Sequence, residues 1–323
     1  MMPNFEYVRP TTVAEVLTRL AAGGARLHAG GSDLLGCLRE GILVPSSVVS
    51  LSGVAELRGI GELAGGELRI GATTTLTEIA SHPLVRQRYP GLAQAALLVA
   101  SPQLRNQGTL GGNLCQKPRC WYYRGSFQCA RKGGDTCYAY AGENQYHCLF
   151  GGETCYYVHP SDLAPALVAL EATAHILGRG GRRVVPLEQF FLLPGQDFQH
   201  ETVLEHDEIL AEVVLPAPRP GAAGVYRKVR ERGCWDFALV GVAVWLARSA
   251  GVVEQVRIVL TGVAATPWRA RAAERLLLGR KLDAALAARA GVAASEGAHP
   301  LAHNAYKVPM LRGLVEEALR SLA

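Results

Sequence analysis

Two short passages decide how this chain is read: "SPQLRNQGTLGGNL" at residues 101–114 and "LHAGGSDLL" at residues 27–35. Each sets paired glycines, Gly111-Gly112 and Gly30-Gly31, beside small hydroxyl or amide side chains. Glycine leaves backbone N–H groups open to close approach because no Cβ stands in the way. The second passage also opens a helical turn near Ser32, where unpaired N–H groups and the helix dipole favour an anion such as a diphosphate. Neither is a GxGxxG dinucleotide fingerprint, and no Gly-Lys-Ser/Thr follows to make a P-loop. Paired glycines also serve as plain turns, so spacing alone leaves both readings open.

Outward from these turns the patterning is regular. "TVAEVLTRLAAGG" starts at Thr12 with Glu15 three residues on, a capping-box signature, and stops at Gly23-Gly24. A short strand precedes the first glycine turn, and residues 48–72 alternate around Gly65-Gly66 as two or three strands with a hairpin. Residues 73–100 are helical in period and broken at Pro90. "HPSDLAPALVALEA" predicts a helix with Ser161 as its cap, and residues 172–191 a hairpin around Gly178 to Gly181. A strand then ends in the proline- and glycine-rich stretch 216–224, the best linker. Beyond it, "GVYRKVRER", "FALVGVAVWLAR" and "VEQVRIVLTGV" predict three antiparallel strands, followed by three helices, which is an α+β pattern.

The bulk numbers narrow the function. At 323 residues, 49% hydrophobic and 19% charged, the chain is long enough for two or three globular domains. Its net charge is only +5 and its basic residues are scattered; the nearest cluster, "YRKVRER", reads equally as a solvated strand, which argues against nucleic-acid binding. No basic-then-apolar leader opens the sequence, and no apolar run approaches the ~20 residues a bilayer needs. The expected location is the cytoplasm, with export as the passenger of a signal-bearing partner left open. Thiols stay reduced there, so clustered cysteines read as a metal or redox-cofactor site before disulfides.

Six of the eight cysteines fall within residues 115–155; Cys37 and Cys234 lie outside. The segment "CWYYRGSFQCARKGGDTC", residues 120–137, lacks clear periodicity yet is rich in aromatic residues, so it is not a disordered linker. It lacks the makings of its own hydrophobic core, and a metal centre would order it. It has no CxxC pair of the zinc-ribbon kind. The gaps between Cys120, Cys129, Cys137 and Cys155 are eight, seven and seventeen residues, which suits four thiolates on a [4Fe-4S] cluster but leaves zinc open. Cys115, Cys37 and Cys234 read as small buried hydrophobes; Cys148 competes with Cys155 for the fourth ligand position. The nine histidines form no HxH or HExxH pattern, and His28, His147 and His159 read as structural.

"LHAGGSDLL", "LRIGATTTLTEIA" and "SPQLRNQGTLGGNL", in this order, resemble the FAD-binding medium subunits of molybdenum hydroxylases. That family includes carbon monoxide dehydrogenase, xanthine dehydrogenase and 4-hydroxybenzoyl-CoA reductase. The resemblance continues through "HPSDLAPALVAL", "YRKVRERGCWDFALVGVAV" and "LTGVAATPWRARAAE", covering essentially the whole chain. It implies an FAD-binding domain of the vanillyl-alcohol-oxidase (PCMH) type over 1–217, with subdomains 1–56 and 57–217 and an insertion at 116–154. An α+β domain with a three-stranded antiparallel sheet and helices would follow over 222–323. It further implies FAD contacts from Ala29, Gly30, Gly31, Ser32, Asp33 and Leu34 in the first turn. Thr109, Gly111, Gly112 and Asn113 would supply the second, with Asp162 and Lys228 near the flavin. A subset of the family carries a [4Fe-4S] cluster in an insertion at this point, as in 4-hydroxybenzoyl-CoA reductase and bacterial periplasmic aldehyde oxidase. That subset gives the ligand roles to Cys120, Cys129, Cys137 and Cys155, the last preferred over Cys148 for its offset to "SD".

The implied function is electron transfer within a heteromeric complex. A large molybdenum-cofactor subunit would oxidise the substrate, a small subunit with two [2Fe-2S] clusters would deliver electrons to FAD, and an external acceptor would remove them. The absence of a nucleophile–base pair or paired carboxylates fits a chain whose chemistry belongs to its cofactors. A self-contained FAD-dependent oxidase or dehydrogenase and a zinc-stabilised binding protein are the alternatives.

Overall fold

Three separate sheets organise the chain in the computed structural model, which describes residues 2–323. The first is parallel, with β1 (Glu6–Val8), β2 (Ala25–His28) and β3 (Ser47–Ser50) in the order β1-β3-β2. Helix α1 (Val13–Ala21) buries Val16 and Leu20 against it, and α2 (Leu34–Arg39) leaves from the first glycine turn. Thr12 caps α1 by accepting from the Glu15 N–H at 3.3 Å. The Glu15 carboxylate accepts from Thr11 N–H at 2.8 Å rather than from Thr12, so the expected reciprocal capping box is displaced by one residue. The full box forms instead at Thr75 and Glu78.

The second sheet holds β4 (Ile60–Glu62), β5 (Leu68–Gly71), β6 (Thr173–Gly178), β7 (Gly181–Pro186) and β8 (Ile209–Leu215), antiparallel in the order β4-β5-β8-β6-β7. Between β5 and β6 run α3 (Leu76–Ser81), α4 (Pro83–Arg88), α5 (Pro90–Leu97), α6 (Pro102–Gln107), α7 (Leu110–Leu114), α8 (Trp121–Arg124) and α9 (Leu163–Ala169). The helical stretch 73–100 breaks at Pro83 as well as Pro90; each proline takes the first helical position, where its missing N–H costs nothing.

The third sheet is antiparallel, in the order β12-β11-β10-β9, from β9 (Ala222–Val229), β10 (Val240–Ser249), β11 (Val252–Thr261) and β12 (Trp268–Arg269). It has four strands rather than the expected three, because Trp268 and Arg269 pair with Leu260 and Val259 as a two-residue edge too short to show a period. Helices α10 (Arg271–Leu277), α11 (Ala284–Ala293) and α12 (Lys307–Arg320) complete its core with Leu277, Ala287, Leu311 and Val315. Helix α9 is buried on every side, as its unbroken apolar sequence requires. It lies between α5 and the third sheet and so joins the two halves of the molecule.

Residues 116–154 hold little regular structure beyond α8 and a short 3-10 turn at Ala130–Lys132. The segment forms no hydrophobic core of its own, as expected, and Phe127, Tyr138 and Tyr146 stay exposed, but its aromatic rings pack on one another. Tyr122 sits 4.9 Å from Phe127 and 5.9 Å from Tyr138, centroid to centroid, and Trp121 meets Tyr146 edge-on at 5.5 Å. Aromatic pairs of this kind add about 0.5–1.5 kcal/mol each beyond the area they bury.

Candidate functional site

The two glycine turns meet. Gly30 lies so close to Gln107 that a Cβ there would stand 1.8 Å from its carbonyl oxygen, a contact only glycine allows. Ala29 to Leu34 and Thr109, Gly111 and Gly112 consequently line one cavity of about 340 Å³. A second cavity of about 370 Å³ lies beyond the turns, bounded by Asn113, Asp162, Trp235 and Phe237. Ser32, Asp33, Thr109 and Gly112 border both. The two cavities are therefore lobes of one trough whose waist is made by the turns. Such a trough suits a two-lobed ligand with an anionic middle.

Local hydrogen bonds explain why the turns hold this shape. Thr109 caps α7, its Oγ1 accepting from Gly112 N–H at 3.2 Å. Ser161 donates to Asn113 Oδ1 at 2.5 Å and accepts from Ala164 N–H at 2.9 Å, so it caps α9 as its position predicts. His159, whose Nε2 lies 3.2 Å from Leu114 O, is held down at about 4 by burial and is neutral, which fits its structural reading.

Asp162 and Lys228 pair with each other. Lys228 Nζ donates to Asp162 Oδ2 at 2.8 Å, to Asp236 O at 2.9 Å and to Leu98 O at 3.3 Å, and its side chain is 1% exposed. Tyr226 donates its hydroxyl to Asp162 Oδ1 at 2.6 Å. Burial pushes the Asp162 carboxyl above its ordinary range, while Lys228 and Tyr226 oppose that shift. Asp162 borders the second lobe; Lys228 stands behind it with all three donors engaged.

Asp33 is the anchor for the insertion. Its Oδ1 accepts from Arg119 at 2.5 Å and from Arg124 at 2.6 Å, and its Oδ2 from Lys117 N–H at 2.8 Å. Lys117 reaches Glu201 at 2.5 Å, and Glu201 also takes a buried ion pair from Arg131. Sequence reasoning missed these basic residues. The available signal was that Arg119, Arg124 and Arg131 sit in residues 116–134, which contain no Asp or Glu, so their partners had to lie elsewhere.

Cys120, Cys129, Cys137 and Cys155 all line one small enclosed cavity, with Tyr122, Tyr123, Tyr138, Arg131 and Tyr157 among its walls. No carboxylate or imidazole borders it. A tight turn at Gly134, where a Cβ would meet Gln128 O at 1.9 Å, returns the chain from Cys129 to Cys137. The Cys137 and Cys155 side chains interact, which holds Cys137 below its ordinary range and raises Cys155, and burial raises Cys155 further. Among the described residues no three His, Cys, Asp or Glu side chains converge on a single metal position.

The other cysteines lie elsewhere. Cys148 is buried against the backbone at Gly152, away from this cavity. Cys115 is half-buried and lines the first lobe of the trough, and Cys37 is in the core. Cys234 is exposed, contrary to its expected burial: its apolar neighbours Trp235 and Phe237 belong to a surface loop at the trough's mouth, not to a strand.

An α+β chain with a two-lobed trough waisted by glycine turns has a site shaped for an extended ligand with an anionic centre. Residues 3–218 match the FAD binding domain in molybdopterin dehydrogenase, and residues 225–322 match the CO dehydrogenase flavoprotein C-terminal domain. The chain is 36% identical over 323 residues to the aldehyde oxidoreductase FAD-binding subunit PaoB of Escherichia coli strain K12, covering 98% of each. It is 33% identical over 326 residues to the carbon monoxide dehydrogenase medium chain of Hydrogenophaga pseudoflava, covering 99% of this chain and 97% of that one. The structure of that organism's carbon monoxide dehydrogenase lacking the Mo-pyranopterin moiety superposes with a TM-score of 0.80 at 32% identity, covering 100% and 98%. Quinoline 2-oxidoreductase from Pseudomonas putida 86 gives 0.77 at 27% identity, covering 100% and 98%. The chain belongs to the family of FAD-binding medium subunits of molybdenum hydroxylases. It is an oxidoreductase subunit of that class, and its fold is theirs.

Proposed function

We propose that this chain is the electron-transfer subunit that carries both FAD and an iron–sulfur cluster in a heteromeric molybdenum hydroxylase. Bound FAD would supply exchange between two-electron and one-electron chemistry, and a [4Fe-4S] group would supply a one-electron site. Ala29 to Leu34 would hold the diphosphate at the waist of the trough, with backbone N–H groups as donors. Thr109, Gly111 and Gly112, the last two with their own N–H groups bonded to Ala72 O and Thr109 Oγ1, would let it approach closely. Asn113 and Asp162 border the lobe beyond, and Lys228 acts on Asp162 by neutralising a carboxylate that would otherwise be buried unpaired.

The observation that carries the cluster is that four cysteines from a 36-residue span, Cys120 to Cys155, line one cavity without a competing carboxylate. A lining of four thiols with no carboxylate or imidazole suits a cluster held by cysteine alone. By analogy with its relatives, this chain would work beside a large molybdenum-cofactor subunit, a small subunit with two [2Fe-2S] clusters and an external acceptor.

Purification without air, followed by a visible spectrum and metal analysis, tests the reading. Flavin peaks with a broad brown absorbance that bleaches on dithionite addition are expected, along with co-purifying large and small subunits. A colourless, zinc-containing chain would overturn it, and substrate turnover by the isolated flavin-bearing chain would favour the self-contained oxidase.

A further inference from the structure

The Nε2 atom of His147 stands 3.3 Å from the sulfur of Cys120. Among the described residues this is the one imidazole in hydrogen-bonding contact with any of the four cavity cysteines. His147 is 3% exposed, and Trp121 faces its ring edge-on at 5.8 Å. Its backbone is fixed from the far end of the sequence. The His147 carbonyl accepts from Asn304 Nδ2 at 3.0 Å and from Lys307 Nζ at 3.0 Å, and both of those residues are fully buried. Its N–H donates to Asn144 O at 2.9 Å.

We propose that His147 is a positioning residue that donates a hydrogen bond to the Cys120 thiolate and raises the reduction potential of the cluster held there. The inference rests on the cluster reading above. A metal-bound cysteine is a thiolate and has no proton to give, so the contact is attractive only with the proton on Nε2. The other ring nitrogen, Nδ1, is buried with no partner, which is tolerable for an acceptor lone pair and rare for an N–H. Reduction adds negative charge to the cluster and its sulfurs. A donor aimed at one sulfur therefore stabilises the reduced state more than the oxidised one, and hydrogen bonds to sulfur are a main control on such potentials. Because Asn304 and Lys307 set the backbone of His147, the C-terminal domain fixes the aim of this donor.

The test compares the full chain with His147→Leu and His147→Gln, all purified without air. Iron and sulfide per chain are measured, and the cluster and flavin midpoints are followed in one reductive titration by electron paramagnetic resonance. The expected result is unchanged iron in H147L, a lower cluster midpoint and an unmoved flavin midpoint. The shift should be on the order of tenfold in the one-electron equilibrium, about 59 mV. H147Q, which restores an N–H, should recover most of it. If H147L loses iron while H147Q keeps it at the parent potential, the donor role is likewise supported. An unchanged cluster midpoint in H147L, an equal shift of flavin and cluster, or loss of iron from both variants would overturn it in favour of packing. Absence of iron from the parent chain would instead refute the cluster reading itself, and this inference with it.

Discussion

Asp33 of the first glycine turn and Arg124 of the cysteine segment are joined by a hydrogen-bonded ion pair at 2.6 Å, between residues 91 positions apart in sequence. The same carboxylate receives Arg119, so one side chain at the waist of the trough also anchors the segment that leads into the cysteine cavity. Among the described residues none lines both sites, but Asp33 ties one to the chain that builds the other.

Removing that anchor should disturb the trough. Asp33→Ala leaves two partly buried guanidinium groups without their acid. Breaking a fully buried pair costs about 3–5 kcal/mol, and the residual exposure of these side chains reduces that to roughly 2 kcal/mol. Thermal unfolding should shift downward by several degrees, and flavin content should fall even where iron is retained. An unchanged melting temperature would show that water replaces the pair at no cost.

The fourth thiol position is open to a direct comparison. Cys155→Ser should abolish iron binding, whereas Cys148→Ser should keep it, because Cys148 lies outside the cavity shared by the other four. Iron loss in the second variant and not the first would reverse the assignment. Proteolysis of the iron-free form should cut within residues 125–137, while 144–150 stay protected. Asn304 and Lys307 grip that latter segment whether or not a metal is present.

Gly30→Ala tests the meeting of the turns. Its Cβ would fall 1.8 Å from Gln107 O, which is backbone and has no rotamer to yield. The turns must separate, so the flavin-to-protein absorbance ratio should drop sharply. Gly180→Ala, at a position where a Cβ meets nothing within 4 Å, should leave it unchanged.

Lys307 gives stability a pH dependence. Burial holds its ammonium down at about 7, against an ordinary 10.5. Between these values the unfolded chain binds a proton that the folded chain does not, so stability attributable to Lys307 rises with pH across that window and is flat below it. Lys307→Met lacks the titration but orphans two carbonyls, His147 O and Gly262 O, at roughly 1–3 kcal/mol each. Melting temperatures of the two proteins should therefore diverge, in favour of the parent, from about pH 7 to about pH 9. A constant difference would mean that Lys307 stays charged throughout.

The local elements were legible because their causes are local. Proline at a first helical position, Ser161 as a cap and the turn at Gly178 to Gly181 depend on neighbours a few residues away. Both glycine turns and the four cavity cysteines could be named from residue type, order and family resemblance. What sequence alone could not supply was which groups meet across the chain. Lys228 reads as a solvated strand residue until the fold sets it against Asp162, 66 positions away, in a site where neither charge is tolerable alone. Cys234 reads as core until the loop carrying it is seen at the surface. The sequence determined which turns are candidates for a diphosphate and which four cysteines are candidates for a metal centre. Only the tertiary structure, by closing long loops and matching buried charges across them, decided that Asp33 joins the two sites and that the C-terminal domain aims His147 at Cys120.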